Sequence, residues 1–171
     1  MDFQELMQAY FRGQRVMALF YLLPAGLLLL GVAATAISAE RGGFAWGLAV
    51  PLALFGFVAI GIGATVGLRT PAQVAALERA YAEDPAAMVA EELPRMEKVN
   101  EGWPKCLAMW AVLPLIGLGL RFGLSADWAH GIGSALVLVG AIGILVDGFA
   151  ERRAQAYTDA LEALASEHRA S

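Results

Sequence analysis

The sequence predicts an all-α, polytopic membrane protein with four transmembrane helices arranged as two hairpins. Four long apolar runs, at about 16–39, 44–68, 105–124 and 128–150, lead to this prediction, because a helix needs about 20 mostly apolar residues to cross a bilayer. The composition agrees, since 58% of the 171 residues are hydrophobic and 16% are charged, whereas soluble domains carry about 25% charged residues. We therefore expect one integral membrane domain over 1–171.

The first apolar run follows a predicted amphipathic helix at 2–15. The apolar side chains of this amphipathic helix recur at helical spacing, and no helix-breaking residue separates the helix from the run. The run is longer than the apolar region of a signal peptide, and it contains Pro24. We expect it to remain uncleaved as the first span. The apolar side chains of the amphipathic helix are Phe3, Leu6, Met7, Tyr10 and Phe11.

The segment between the second and third runs, at 71–103, is also predicted to be helical. Thr70 followed by Pro71 is typical of a helix start, and Asp84 followed by Pro85 repeats the signal. Pro94 is expected to interrupt this segment, and a later proline to open the third span.

The last run continues into an amphipathic tail at 151–168. No proline lies between Trp128 and His168, so span and tail are expected to form one helix of about 60 Å. We expect the amphipathic segments to gather into a small cytoplasmic bundle, because their acidic faces disfavour lying on an anionic leaflet. Each half has the same order of elements, and both a true duplication and a general likeness of helical hairpins remain open.

The basic residues predict the orientation. Ten of the twelve flank the runs on one side, and Arg41 and Arg121 flank them on the other. Lys and Arg concentrate in cytoplasmic loops, so both termini and the middle segment are expected in the cytoplasm. A chain rich in Ala, Leu and Gly, with more Arg than Lys, favours a bacterial inner membrane. The ten residues are Arg12, Arg15, Arg69, Arg79, Arg95, Lys98, Lys105, Arg152, Arg153 and Arg169.

Small residues on two spans predict close helix packing. Ala59, Gly63 and Gly67 share one helical face, and a second face of small residues lies on the last span. Such faces let helix backbones approach closely in lipid. Packing within the chain and packing against another chain both remain open. The second face comprises Gly131, Ala135 and Gly143.

Asp147 is the acidic residue inside a span, near its cytoplasmic end. An intramembrane carboxylate is by default a candidate proton relay or ion ligand. Arg69 and Arg152 lie close to the same end of the spans, so a structural ion pair is the favoured interpretation, and an ion site is the alternative.

The sequence favours a function without catalysis. Cys106 is the only cysteine, and the two histidines lie at opposite ends of the last helix, so we expect no metal, cofactor or enzyme site. The net charge of −4 argues against nucleic acid. We expect an inner-membrane protein that binds a partner through its helices, for example an immunity protein against a membrane-targeting toxin or an accessory subunit. The partners are the bilayer and another membrane protein or a second copy. The alternative is a small oligomeric channel or transporter that uses Asp147.

Overall fold

Helices account for nearly the whole chain. The computed structural model describes the backbone of residues 3–170 and the side chains of residues 3–168. The first residue of the helix predicted at 2–15 lies outside the described residues, as does the side chain of Arg169. The elements are α1 (Phe3–Val16), a π-helical segment (Met17–Leu22), α2 (Leu23–Ala39), α3 (Gly43–Glu83), α4 (Pro85–Gly123) and α5 (Asp127–Ala170).

Within the described residues, four helical stretches are long and apolar enough to cross a membrane. This confirms the predicted all-α class and the number of such helices. α5 runs for 44 residues without a break, which confirms that the last apolar run and the tail form one helix. At about 1.5 Å per residue, α3, α4 and α5 are each roughly 60 Å long, about twice the thickness of the hydrocarbon. The four stretches are Phe3–Ala39, Gly43–Glu83, Pro85–Gly123 and Asp127–His168.

The π-helical segment joins α1 to α2 just before Pro24. Within it, the backbone N–H of Leu23 donates to the carbonyl of Ala18, five residues earlier. Proline lacks an N–H, and in a regular α-helix its ring collides with the carbonyl four residues before it. One wider turn relieves the collision and keeps the chain helical.

Three predicted helix boundaries, at Pro71, Pro94 and Pro104, are wrong, because the chain continues as helix through proline. The expected helix start at Thr70 and Pro71 lies inside α3, where the Thr70 hydroxyl donates to the carbonyl of Val66 at 2.6 Å. Each interior proline costs about 3 kcal/mol in an isolated helix, but packing along these long helices overrides local propensity. α4 likewise continues through Pro94, Pro104 and Pro114.

The predicted helix start at Asp84 is confirmed. Its carboxylate accepts a hydrogen bond from the backbone N–H of Ala87 at 3.0 Å, and Pro85 occupies the first helical position. An aspartate cap and a proline at this position both favour a helix N-terminus. The chain therefore turns sharply between α3 and α4.

Close glycine contacts bring the apolar helices together in pairs. α2 packs against α3, α4 packs against α5, and α3 and α5 pack against each other. A Cβ on Gly26 would lie 2.7 Å from the carbonyl oxygen of Gly56, and one on Gly117 would lie 2.6 Å from that of Gly133. Only a residue without a side chain permits backbones to approach this closely. The same local arrangement therefore occurs once between α2 and α3 and once between α4 and α5.

Two clusters of buried side chains lie at different levels of the molecule. The first lies among the apolar segments and includes Leu29, Leu52, Ala135 and Val139. The second, here called the aromatic cluster, joins α1 to the charged parts of α3, α4 and α5. Its buried members are Phe3, Met7, Tyr10, Phe11, Met88, Val89, Met96, Ala154, Tyr157 and Leu161, and Val74, Leu77 and Tyr81 pack against them.

Candidate functional site

Asp147 on α5 is the centre of the candidate site. Its Oδ2 accepts a hydrogen bond from Trp110 Nε1 at 2.5 Å and one from Cys106 Sγ at 3.0 Å. Cys106 and Trp110 are four residues apart on α4, so both side chains lie on the helix face that meets Asp147. Two donors from one helix therefore hold a carboxylate on its neighbour.

The indole of Trp110 is positioned by Gly143, one turn before Asp147 on α5. A Cβ at Gly143 would overlap the ring, so the absence of a side chain lets the indole pack against the backbone of α5. Trp110 also makes a tilted contact with the ring of Phe55 on α3, with centroids 6.1 Å apart. The ring is thus fixed on two sides, and its N–H is aimed at the carboxylate.

A cavity of about 400 Å³ adjoins this carboxylate, and all of the apolar helices line it. Its walls are almost wholly apolar, with Leu22, Phe55, Met109 and Val139 representing the four helices. A carboxylate beside an apolar cavity can accept a proton, or it can pair with the cationic end of a hydrophobic molecule.

The predicted small-residue faces make their contacts inside the chain. Gly63 faces the carbonyl of Ala18, and Gly67 faces the side chain of Leu19. Gly131 meets the backbone of α3 at its first turn, and Ala135 is fully buried. Ala59 lines the cavity beside Asp147, and Gly143 holds the Trp110 ring.

The two arginines expected near Asp147 do not pair with it. Arg69 and Arg152 are both exposed, and the ion pair found among the described residues joins Glu92 to Arg95. The carboxylate of Asp147 is instead satisfied by donors from α4. No sequence pattern indicated Trp110 as a donor, because a tryptophan near a span end is ordinarily an interfacial anchor.

Sequence patterns also did not predict a group of hydrogen-bonded polar side chains inside the aromatic cluster. Glu92 is buried and accepts two hydrogen bonds from Arg95, at 2.6 and 2.5 Å. The Tyr157 hydroxyl donates to Glu92 at 3.3 Å. Burial raises the pKa of Tyr157, and the nearby carboxylate of Glu92 raises it further. The hydrogen bond to Glu92 raises the pKa of Arg95. This group orients α4 against α5 within the cluster.

No group of three His, Cys, Asp or Glu side chains in the described part of the chain is placed to hold a metal ion. No protein-family model, curated protein or solved structure matches the chain.

Proposed function

We propose that the chain is a non-enzymatic membrane protein that acts by binding another protein through its helices. The membrane is a bacterial inner membrane, with both termini in the cytoplasm. The partner is a protein such as a membrane-targeting toxin, which this chain would inhibit, or the larger complex of which it is an accessory subunit. A second copy of the chain is the other possible partner.

The aromatic cluster is the observation that carries the proposal. α3, α4 and α5 continue from their apolar segments into charged segments without a break, and the cluster joins the charged segments to α1. Tyr157 lies at its centre, stacked on Tyr10 with ring centroids 4.7 Å apart and edge-on to Phe11 at 5.8 Å. We infer that these segments form one rigid cytoplasmic bundle, since stacked and buried rings resist rearrangement.

The charges of the bundle suit a cytoplasmic binding surface. Basic residues lie where the charged segments leave the apolar runs, as expected beside an anionic inner leaflet. Exposed acidic residues outnumber the exposed Arg79, Arg95 and Lys98 farther along the same helices, so a partner with a basic surface fits this end. The basic residues are Arg12, Arg15, Arg69, Lys105 and Arg152, and the exposed acidic ones are Glu83, Asp84, Glu91, Glu162 and Glu167.

Co-purification from native membranes tests the proposal. The double variant Glu91→Lys, Glu162→Lys should release a partner that the unaltered chain retains. It reverses the charge of the acidic surface farthest from the apolar runs, here called the distal surface. Glu40→Lys is the matched control, since Glu40 is equally exposed but lies in the turn after α2. Equal retention in all three samples would reject the distal surface, and recovery of an untagged copy of this chain together with the tagged one would identify a second copy as the partner.

One observation favours the alternative, a small oligomeric channel or transporter that uses Asp147. The carboxylate lies beside a cavity lined by all of the apolar helices, and an intramembrane carboxylate that faces such a cavity is a candidate ion or proton site. If this function is correct, Asp147→Asn abolishes flux in proteoliposomes and leaves partner recovery unchanged. If the partner-binding function is correct, the same variant keeps its cellular activity.

A further inference from the structure

A second cleft lies between the first helical stretch and α5, on the outer surface of the helices. It has a volume of about 520 Å³. Most of its wall is apolar, and Tyr21, Leu145 and Phe149 are more than half exposed along it. At its charged end the lining changes to Gly13 and Arg153. The cleft therefore runs from an apolar segment to a single guanidinium.

The Arg153 side chain crosses α1 at Gly13. A Cβ on Gly13 would lie 2.7 Å from Cδ of Arg153 and 3.0 Å from its Nε, so the missing side chain makes room for the arginine. Nε and Nη2 are buried and have no hydrogen-bond partner. Burial also lowers the pKa of Arg153. Buried donors left unsatisfied are costly, and the cost is larger for a charged group.

We propose that this cleft binds one anionic phospholipid, with its phosphate on Arg153 and an acyl chain along the apolar wall. Nε and Nη2 are covered by protein in the empty cleft, so the Arg153 side chain turns towards the cleft on binding, and a phosphate oxygen then satisfies its donors with charge-assisted hydrogen bonds. The guanidinium lies just after the last apolar run, at the depth of the headgroups, and the cleft continues from it towards the hydrocarbon. Basic pockets between helices on the cytoplasmic side bind anionic headgroups in this way. The site is independent of the proposed partner.

Lipid titration of the delipidated full chain, followed by native mass spectrometry, tests the site. Phosphatidylglycerol should bind roughly tenfold or more tightly than phosphatidylcholine, because both carry the phosphate but the choline cation offsets the attraction to the guanidinium. Arg153→Gln should remove that preference by weakening phosphatidylglycerol more than phosphatidylcholine. Arg152→Gln is the matched control, because it removes the same charge from the adjacent exposed residue. An equal loss in both variants would mean general surface attraction and overturn the site.

Gly13→Ala provides an independent variant if Arg153→Gln fails to fold. The added methyl displaces the arginine stem, so it should weaken phosphatidylglycerol binding while the charge stays in place. Gly148→Ala is its control, since nothing lies within 4 Å of that Cβ position. Inorganic phosphate is the second probe and should compete weakly. Competition by phosphate as strong as that by the lipid would identify a free-anion site and overturn the role of the acyl chain. An unchanged lipid preference in Gly13→Ala would overturn the role of the Arg153 side chain as it lies against Gly13.

Discussion

At the scale of single residues, Asp147 links α5 to α4, because it accepts hydrogen bonds from Trp110 and Cys106. Its position inside an apolar run marks it as a site, and the small residues around it predict close packing. Its donors could not be predicted, because Trp110 and Cys106 lie on another helix and their direction depends on how α4 and α5 pack. Gly143 connects the predicted close packing with the unpredicted donor, since this small residue on α5 also positions the indole of Trp110.

Gly143→Leu and Gly63→Leu should each destabilise the protein by about 1–3 kcal/mol or more, because bulk at either position forces packed helices apart. Both positions are buried against a neighbouring helix. Gly61→Leu, two residues from Gly63 but with nothing within 4 Å, should be nearly neutral. Asp147→Asn should also be tolerated, since an amide oxygen still accepts from Trp110. Thermal unfolding and monodispersity in detergent measure all four variants, and a Gly61→Leu defect as large as that of Gly63→Leu would contradict the steric cause.

Alkaline pH should weaken the aromatic cluster. Burial raises the pKa of Tyr10 and of Tyr157 above the ordinary value of about 10. The folded state therefore keeps phenol protons that the unfolded chain releases, so this stability is present below pH about 10 and falls as the pH rises above it. Melting temperatures measured across this range should fall more steeply for the wild type than for a Tyr10→Phe, Tyr157→Phe double variant. Parallel curves would disprove the contribution.

At the scale of elements, the apolar runs predicted the helices well, and proline predicted their ends poorly. Asp84 ends α3 and caps α4 as expected, because its side chain and the following proline act locally. Pro71 and Pro94 do not end a helix. Local rules assign each a break, whereas the surrounding helices hold α3 and α4 in line. Continuity through proline thus depends on packing that the sequence does not reveal.

Asp84→Ala should destabilise the turn between α3 and α4 by about 1 kcal/mol, because it removes the acceptor for the Ala87 N–H. Asp84→Asn keeps an acceptor and should retain most of the stability. Glu83→Ala removes an adjacent exposed carboxylate without removing the cap. Chemical denaturation compares the three, and equal losses for Glu83→Ala and Asp84→Ala would show that charge, not capping, is responsible.

At the scale of the whole molecule, the helices combine an apolar level with a charged level. The number of long apolar helices followed from composition and run length alone. The order in which they pack did not, because small-residue faces occur on several helices and any of them could pair. The structure resolves that order through glycine contacts, with α3 and α5 adjacent and α2 and α4 packed on them.

The distribution of basic residues predicts which level faces the cytoplasm. In a Cys106→Ser background, cysteines at Ser38 and Ser125 should react with an impermeant maleimide added outside intact cells, and one at Ala82 should react only after lysis. All three positions are exposed, and the serine keeps a donor for Asp147. Labelling of Ala82→Cys in intact cells, with Ser38→Cys and Ser125→Cys protected, would reverse the proposed orientation.

The π-helical segment before Pro24 has a consequence for the angular relation between α1 and α2. On an uninterrupted α-helix, at about 100° per residue, the buried positions of α1 and those of α2 would point roughly 90° apart. A wide turn holds one extra residue and offsets the following helix by about the same angle. The segment therefore turns both buried faces towards one side, so that α1 meets the aromatic cluster while α2 meets α3. The number of residues from 17 to 22 is thus as much a requirement of the fold as their identity.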